Sequence, residues 1–455
     1  MLIKSINPAN NQIINEYEEM NSSTINNILE NSVLTYNHWR KEAINSRSQK
    51  MHKLADLLIA KSQEFGTIIT LEMGKPITQS IAEVEKCAFL CRYYADNAEK
   101  FLESEYVKTD FSKSFISYQP LGVVLAIMPW NFPFWQVLRF SVPAIMAGNC
   151  VILKHASNVT DCALAIESLF EEAGFPKNTL STVILSGTKV DSLIADKRIE
   201  AVTFTGSTPA GRAVAISSAK NIKKSVLELG GSDPAIVLED ADLALATSAC
   251  SSARLSNAGQ SCIAPKRFIV HHSVYDEFTN LVVEQFKNAK IGDPMDSDTD
   301  IGPLAKRKFV DDIHNQVRES IKKGAKLLTG GDISELGENF YMPTVIGDVK
   351  PNSPAWDEEL FGPVASIIPA KDEEEAIKIA NDTSFGLGAS IFTQDIEKGE
   401  RIAEQELQAG SCFVNDFVRS DPRLPFGGIK ESGYGRELGL YGLRELVNIK
   451  TIVVR

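Results

Sequence analysis

Histidine is scarce in this chain, six residues among 455. None lies in an HExxH segment, and the adjacent pair His271-His272 reads as a solvated or capping pair. The seven cysteines, at 87, 91, 150, 162, 250, 262 and 412, are odd in number and scattered. That argues against a disulfide framework and for reduced thiols in the cytoplasm. Cys87 and Cys91 have helical spacing but lack two further ligands, so they read as core residues and no metal is expected. Excess positive charge is also missing. Lys and Arg total 47 against 59 Asp and Glu, a net charge of -12, which argues against nucleic-acid or anionic-lipid partners. The longest apolar run, Leu121 to Trp130, is interrupted by Gly122 and Pro129 and falls far short of the roughly 20 residues a membrane-spanning helix needs. Met1-Leu2-Ile3-Lys4-Ser5 has no apolar core of the signal-peptide kind.

What is present is enough apolar residue, 44% of the chain, for two or three large cores. The first hundred residues read mainly as helix. Arg47 to Phe65 places Met51, Leu54, Leu57 and Leu58 on one face, and Ile81 to Phe101 is a second amphipathic stretch. Phe111 to Tyr118 alternates as a half-exposed strand does. From Val123 the pattern changes to short apolar strands: Val123–Met128, Cys150–Leu153, Thr182–Leu185, Ala201–Thr205, Val226–Leu229 and Ala235–Leu238. Helices near Phe134–Ala147, Thr160–Ala173 and Lys189–Ala195 separate the first four. Strands apolar on both faces with helices between them predict a doubly wound parallel sheet. A second α/β region runs from about Ala241 to Asn415. Lys450 to Arg455 reads as a strand that pairs with 111–118 or with another subunit.

Two motifs fail. Gly206 to Arg212 has P-loop glycine spacing but Arg212-Ala213 in place of Lys-Ser/Thr, so a nucleoside triphosphatase is rejected. Gly433-Tyr434-Gly435 has no preceding strand and reads as a loop.

Four segments hold together. Pro129-Trp130-Asn131-Phe132-Pro133 follows the first sheet strand at its ligand-binding end. Asn131 there is either an oxyanion donor or a helix cap. Phe204-Thr205-Gly206-Ser207 through Gly211 is strand, turn and helix, and a helix start suits a phosphate. Glu228 in Leu227-Glu228-Leu229-Gly230-Gly231 is an acid at an apolar strand end, either a general base of raised pKa or a salt-bridged carboxylate. Cys262 in Asn257-Ala258-Gly259-Gln260-Ser261-Cys262 is either a nucleophile or a small buried residue, and no histidine stands nearby for a Cys/His protease. Combined, they make one reaction possible. Cys262 attacks an aldehyde, Asn131 holds the oxyanion, hydride leaves to a nicotinamide, and Glu228 activates the water that cleaves the thioester.

These residues resemble the aldehyde dehydrogenase superfamily along essentially the whole chain. Glu359-Leu360-Phe361-Gly362-Pro363 and Pro425-Phe426-Gly427-Gly428 extend the ordered match. The resemblance implies an α/β fold with a Rossmann-like doubly wound NAD(P)-binding domain (1–104 and 123–229) and an α/β catalytic domain (230–428). Segments 105–122 and 429–455 would form a small bridging sheet that drives assembly of a homodimer or tetramer. It assigns Cys262 as nucleophile, Glu228 as base and Asn131 as oxyanion donor. At the cofactor it places Trp130, Lys154, Gly206, Ser207, Gly211, Leu229, Glu359 and Phe361.

Ser157 stands where NAD-preferring relatives often carry a glutamate. Lys154 and Ser157 can instead take a 2′-phosphate, so NADP is the expected cofactor, with NAD possible. Gln136 and Arg139 share a helix face that the resemblance puts along the aldehyde channel. Arg139 is expected to clamp a substrate carboxylate, with Arg419 and Ser420 assisting. This pattern looks like the bacterial-type succinate-semialdehyde dehydrogenases, with another short aldehyde as the alternative. A coenzyme A-acylating enzyme is disfavoured by Glu228. A non-catalytic descendant is disfavoured by the intact Cys262, Glu228 and Asn131.

Overall fold

The computed structural model describes residues 2–455. The short apolar strands assemble into two open sheets. The first has six strands in the order Gly433–Tyr434, Lys224–Glu228, Ile199–Thr205, Val123–Met128, Cys150–His155, Leu180–Thr182. Its neighbours run parallel except at the two-residue edge 433–434. The chain enters at Val123–Met128, builds one side, then returns to build the other from Ile199–Thr205. Strand order therefore reverses between these two neighbours, and the crevice at their carboxyl ends is the ligand-binding position of such sheets. Pro129–Asn131 and Gly206–Ser207 both lie there.

The second sheet has seven strands: Lys326–Thr329, Thr344–Gly347, Val364–Ala370, Arg267–His271, Pro234–Val237, Gly388–Phe392, Ser411–Val414. Only its first pair is antiparallel. Glu105–Tyr106, Lys113–Pro120 and Val447–Val454 form a separate three-stranded antiparallel sheet.

Several expectations need correction. The strand expected at Ala235–Leu238 in the first sheet belongs to the second, between Arg267–His271 and Gly388–Phe392. Apolar periodicity identifies a buried strand but not the sheet that receives it. Gly433–Tyr434 is a short edge strand rather than a loop, pairing with Glu228 and Leu227. The hairpin Leu2–Ile6 with Ile13–Glu18 was not foreseen, because most of its residues are not buried and supply little apolar signal. The C-terminal strand pairs with Lys113–Pro120, one of its two expected partners.

The helix Ile77–Phe101 packs on Ile44–Ala60, Ser62–Met73 and Trp135–Met146. It buries Val84, Cys87, Ala88 and Cys91, so the cysteine pair is core. Its Glu83 Oε1 accepts from the backbone N–H groups of Phe134 and Trp135, both at 2.9 Å. This capping anchors the start of the helix Trp135–Met146, which carries Gln136 and Arg139. No helix among the described residues is long and apolar enough to cross a membrane.

Candidate active site between two cavities

The loop that presents Cys262 is locally strained. Asn257, Ala258 and Gly259 take left-handed φ values of 52°, 52° and 72°. Such a conformation persists only where its surroundings over-determine it. At Gly259 nothing but glycine fits, since a Cβ would lie 2.1 Å from the Gly362 carbonyl oxygen. Arg254, fully buried, holds the loop. Its Nη2 donates to the carbonyls of Gly259 at 3.0 Å, Leu360 at 2.8 Å and Gly362, and Nη1 to Ala264 at 3.2 Å. One guanidinium thus ties the cysteine loop to the Glu359–Pro363 segment. Lys266 donates to the carbonyls of Ser261, at 2.9 Å, and Cys262, and lies 3.7 Å from Glu359.

Asn131 meets the same loop from the other side. Its Nδ2 donates to the Gln260 carbonyl at 3.0 Å, and its own carbonyl accepts from Asn257 Nδ2 at 2.8 Å. One amide hydrogen of Asn131 is thereby committed, and the amide has two. His155 Nε2 contacts the Pro133 carbonyl at 2.9 Å, and burial pushes the ring's pKa down to about 4, so at neutral pH it is an uncharged brace.

Cys262 lines two cavities. One, of about 310 Å³, is walled by Lys86, Phe132, Trp135, Gln136, Arg139, Ile263, Phe417, Arg419, Ser420 and Phe426 among others. The other, of about 490 Å³, includes Trp130, Asn131, Gly206, Ser207, Leu229, Glu359 and Phe361. Only Gln136 and Cys262 belong to both walls. Burial pushes the Cys262 thiol up to about 12. The charges of Lys266 and Arg139 oppose that rise, while Glu359 and Asp233 add to it.

The structure therefore gathers Cys262, Asn131, Gln136, Arg139, Arg419, Ser420, Trp130, Gly206, Ser207, Leu229, Glu359 and Phe361 on the two walls. Four expected site residues are elsewhere. Lys154 lies next to the end of the strand Cys150–His155 and Ser157 sits exposed in the following turn, both off the second cavity. Gly211 lies in the helix Thr208–Lys220, where a Cβ would come within 2.4 Å of Leu229, so it serves close packing. Glu228 lines neither cavity. Its carboxyl is buried, and its pKa is raised well above the usual range by burial first and by the charge of Glu437 second.

Arg139 also differs from expectation. It is 2% exposed and ion-paired with Glu437, with its guanidinium 4.8 Å from the Phe426 ring centre. The pair engages Nε, and Arg139 still lines the first cavity. Sequence reading missed Glu437 and Arg254, which carry no motif of their own. It also missed Phe309, stacked on Trp130 with ring centres 4.8 Å apart. Lys86 was missed too, although its place on the apolar helix face near Glu83 was a usable signal.

A doubly wound sheet whose switch-point crevice opens on a cysteine, with a second cavity behind it, is the architecture of an α/β enzyme with two ligand cavities meeting at one residue. The sequence profile of the aldehyde dehydrogenase family matches residues 1–452, and the chain belongs to that family. It is 50% identical over 452 residues to the probable succinate-semialdehyde dehydrogenase [NADP(+)] of Synechocystis sp., covering 99% of each. It is 44% identical over 448 residues to the succinate semialdehyde dehydrogenase [NAD(P)+] Sad of Escherichia coli, covering 98% of this chain and 97% of that one. The crystal structure of succinic semialdehyde dehydrogenase from Streptococcus pyogenes in complex with NADP+ superposes with a TM-score of 0.97 at 39% identity, covering 99% of each chain.

Proposed function

We propose that this protein oxidises succinate semialdehyde to succinate with NADP, using Cys262 as nucleophile. The observation that carries the reading is that Cys262 opens on both cavities, one for each reactant. The names of the relatives above support the substrate and the cofactor.

The residues fit a dinucleotide. The helix Thr208–Lys220 starts at Ser207, whose side chain makes no capping bond; Pro209 has no N–H and that of Gly211 bonds the Ser207 carbonyl, so the Thr208 and Ala210 N–H groups are the ones left for phosphate oxygens. Trp130, Phe309 and Phe361 offer aromatic faces. Lys154 is buried and forms no ion pair among the described residues, and burial lowers its pKa. No carboxylate at Ser157 repels a 2′-phosphate. When bound, the nicotinamide supplies the hydride acceptor.

The chain's own residues do the rest. Cys262 must shed its proton to water, a change that the Lys266 and Arg139 charges favour. Its sulfur then bonds the aldehyde carbon, and the second amide hydrogen of Asn131 meets the oxyanion. Once the adduct is oxidised to a thioester, a water attacks it, releasing succinate and returning the thiol. Glu228 takes the water's proton, which requires its carboxyl to turn from the Glu437 side toward Cys262. The raised pKa makes the carboxylate, once ionised, a stronger base than an ordinary glutamate.

The same reading divides the chain as the family resemblance does, with Gly433–Tyr434 added to the cofactor sheet. It makes the three-stranded sheet, with Tyr106 and Ile449 70% and 62% exposed, the seat of a dimer or tetramer. Light scattering gives the mass of the assembly. A reducing cytoplasmic setting suits seven free thiols.

The deciding experiment is initial-rate reduction of NADP with succinate semialdehyde against butanal at matched low concentrations, repeated with NAD. A large advantage for the charged aldehyde with NADP is expected. Parity or a butanal advantage overturns the substrate, and strong NAD preference overturns the cofactor. Ser157→Glu is expected to shift the preference toward NAD.

A further inference from the structure

Gln79 stands in the first turn of the helix Ile77–Phe101, half-buried on the wall of the first cavity. Its side chain joins two segments that are distant from it in sequence. Nε2 donates to the Asp300 carbonyl at 3.1 Å, and Oε1 accepts the backbone N–H of Asn257 at 2.8 Å.

Asn257 opens the left-handed run of the cysteine loop, with φ at 52°. That conformation costs free energy at any residue but glycine and is kept only by its contacts. Its carbonyl accepts from Gln260 N at 3.0 Å and from Gln260 Nε2 at 3.1 Å. Its Nδ2 donates to the Asn131 carbonyl at 2.8 Å and to the Gln260 carbonyl at 3.3 Å. Asn131 Nδ2 donates to that same Gln260 carbonyl at 3.0 Å. Three buried side chains, Asn131, Asn257 and Gln260, thus fix one another beside Cys262. This set is tied to other segments where Ala305 N–H donates to Gln260 Oε1, at 2.9 Å, and where Gln79 takes the Asn257 N–H. A buried N–H that loses its acceptor is costly. Without Gln79 the loop is free to relax at the very residue that holds Asn131.

We propose that Gln79 is a positioning residue for the oxyanion amide. It fixes Asn257, and Asn257 holds Asn131 against the Gln260 carbonyl, leaving the second amide hydrogen of Asn131 for the substrate oxygen. This rests on the reading of Asn131 as the oxyanion donor. The wall position of Gln79 offers a rival role, direct contact with the aldehyde. The two roles differ in what they do to kcat and KM.

The test is a double-mutant cycle on kcat and KM, with NADP and whichever of succinate semialdehyde and butanal the wild type oxidises faster. The variants are Gln79→Met, Asn131→Ala and the two together. Gln79→Met is expected to lower kcat about tenfold while KM stays within about twofold, since small misplacements of reacting groups act on the chemical steps. In the Asn131→Ala background the same change is expected to cost less than about twofold, because nothing remains to be positioned. Gln79→Glu keeps an acceptor for the Asn257 N–H and is expected to restore most of kcat. Losses that multiply in the double variant would give Gln79 a structural role independent of Asn131 and overturn the proposal. It is also overturned if Gln79→Met keeps full kcat or changes KM alone, the mark of a wall residue. A Gln79→Glu variant as slow as Gln79→Met overturns it too, moving the role to the Asp300 bond. Asn131→Ala with nearly full kcat overturns the oxyanion reading and this assignment with it. Should Gln79→Met fail to fold, Gln79→Ser, too short to reach Asn257, takes its place in the cycle with the same expectations.

Discussion

Arg139 is ion-paired with Glu437, and Glu437 is the charge that presses on Glu228. The two ends of this pair act on Glu228, the proposed base, in opposite directions. Glu437→Gln removes a negative charge and frees a positive one, so the pKa of Glu228 falls. The acid limb of the kcat–pH profile, read where thioester hydrolysis limits the rate, is expected to move to lower pH. Arg139→Met leaves Glu437 unopposed, and the limb is expected to move up. Each side chain is 3% exposed, so breaking the pair also costs stability, about 3–5 kcal/mol in urea unfolding. Limbs that move together, or not at all, would remove Glu437 from the account of Glu228.

Asn131→Ala deletes the amide proposed for the oxyanion. A fall in kcat of roughly 10²–10³-fold is expected. The bond to the Gln260 carbonyl is lost as well, so the loop gains freedom and KM changes too. A variant with nearly full kcat would show that the oxyanion is held elsewhere.

Alkylation distinguishes Cys262 from the other thiols. Cys87, Cys91, Cys150, Cys162 and Cys250 are buried, whereas Cys262 and Cys412 are half-buried. Iodoacetamide on the native protein is expected to modify Cys262 in parallel with loss of activity. With the thiol pushed up to about 12, the reactive thiolate gains about tenfold per pH unit below that value. The rate is therefore expected to keep rising through pH 9. A plateau below pH 8 would mean that the resting thiol is far more acidic.

Asp233 predicts a stability slope. It is buried between Gly231 and Gly388, and burial raises its pKa from the ordinary 3.8 to about 7. The folded state therefore holds this proton more tightly than the unfolded chain. The stabilisation is fully present below pH 3.8 and is lost as pH rises through about 7. Asp233→Asn should remove that slope. The variant is expected to gain on the wild type between pH 5 and pH 8, by at most about 3 kcal/mol. Parallel urea midpoints at the two pH values would refute the raised pKa.

The cysteine, asparagine and glycine-turn segments were legible in the sequence because each lies at a strand end or in a loop whose composition serves little else. The switch point followed from alternating apolar strands and helices. Partnerships between distant segments were not legible. Nothing near Arg139 announces Glu437, and helical spacing shows only that an arginine lies on a face, not what covers it. The strand runs past its expected end at Leu153 to include Lys154, and Ser157 falls in the turn after it, yet the wall of the second cavity passes both by. The sheet membership of Pro234–Val237 was lost for a related reason. The chain leaves the first sheet at Glu228 and enters the second within a few residues, and each strand carries a short apolar stretch with nothing to mark its sheet.

The two cavities share no wall beyond Gln136 and Cys262. Inhibition patterns follow from that partition. On the proposed assignment of the cavities, a compound that fills the smaller one is expected to compete with the aldehyde and leave the dinucleotide free to bind. One that fills the larger cavity does the reverse. Only a molecule that bonds the sulfur itself obstructs both. Substitutions in the helix Ile77–Phe101 or the 417–420 loop can retune substrate choice while the cofactor side, reached through separate residues, keeps its affinity.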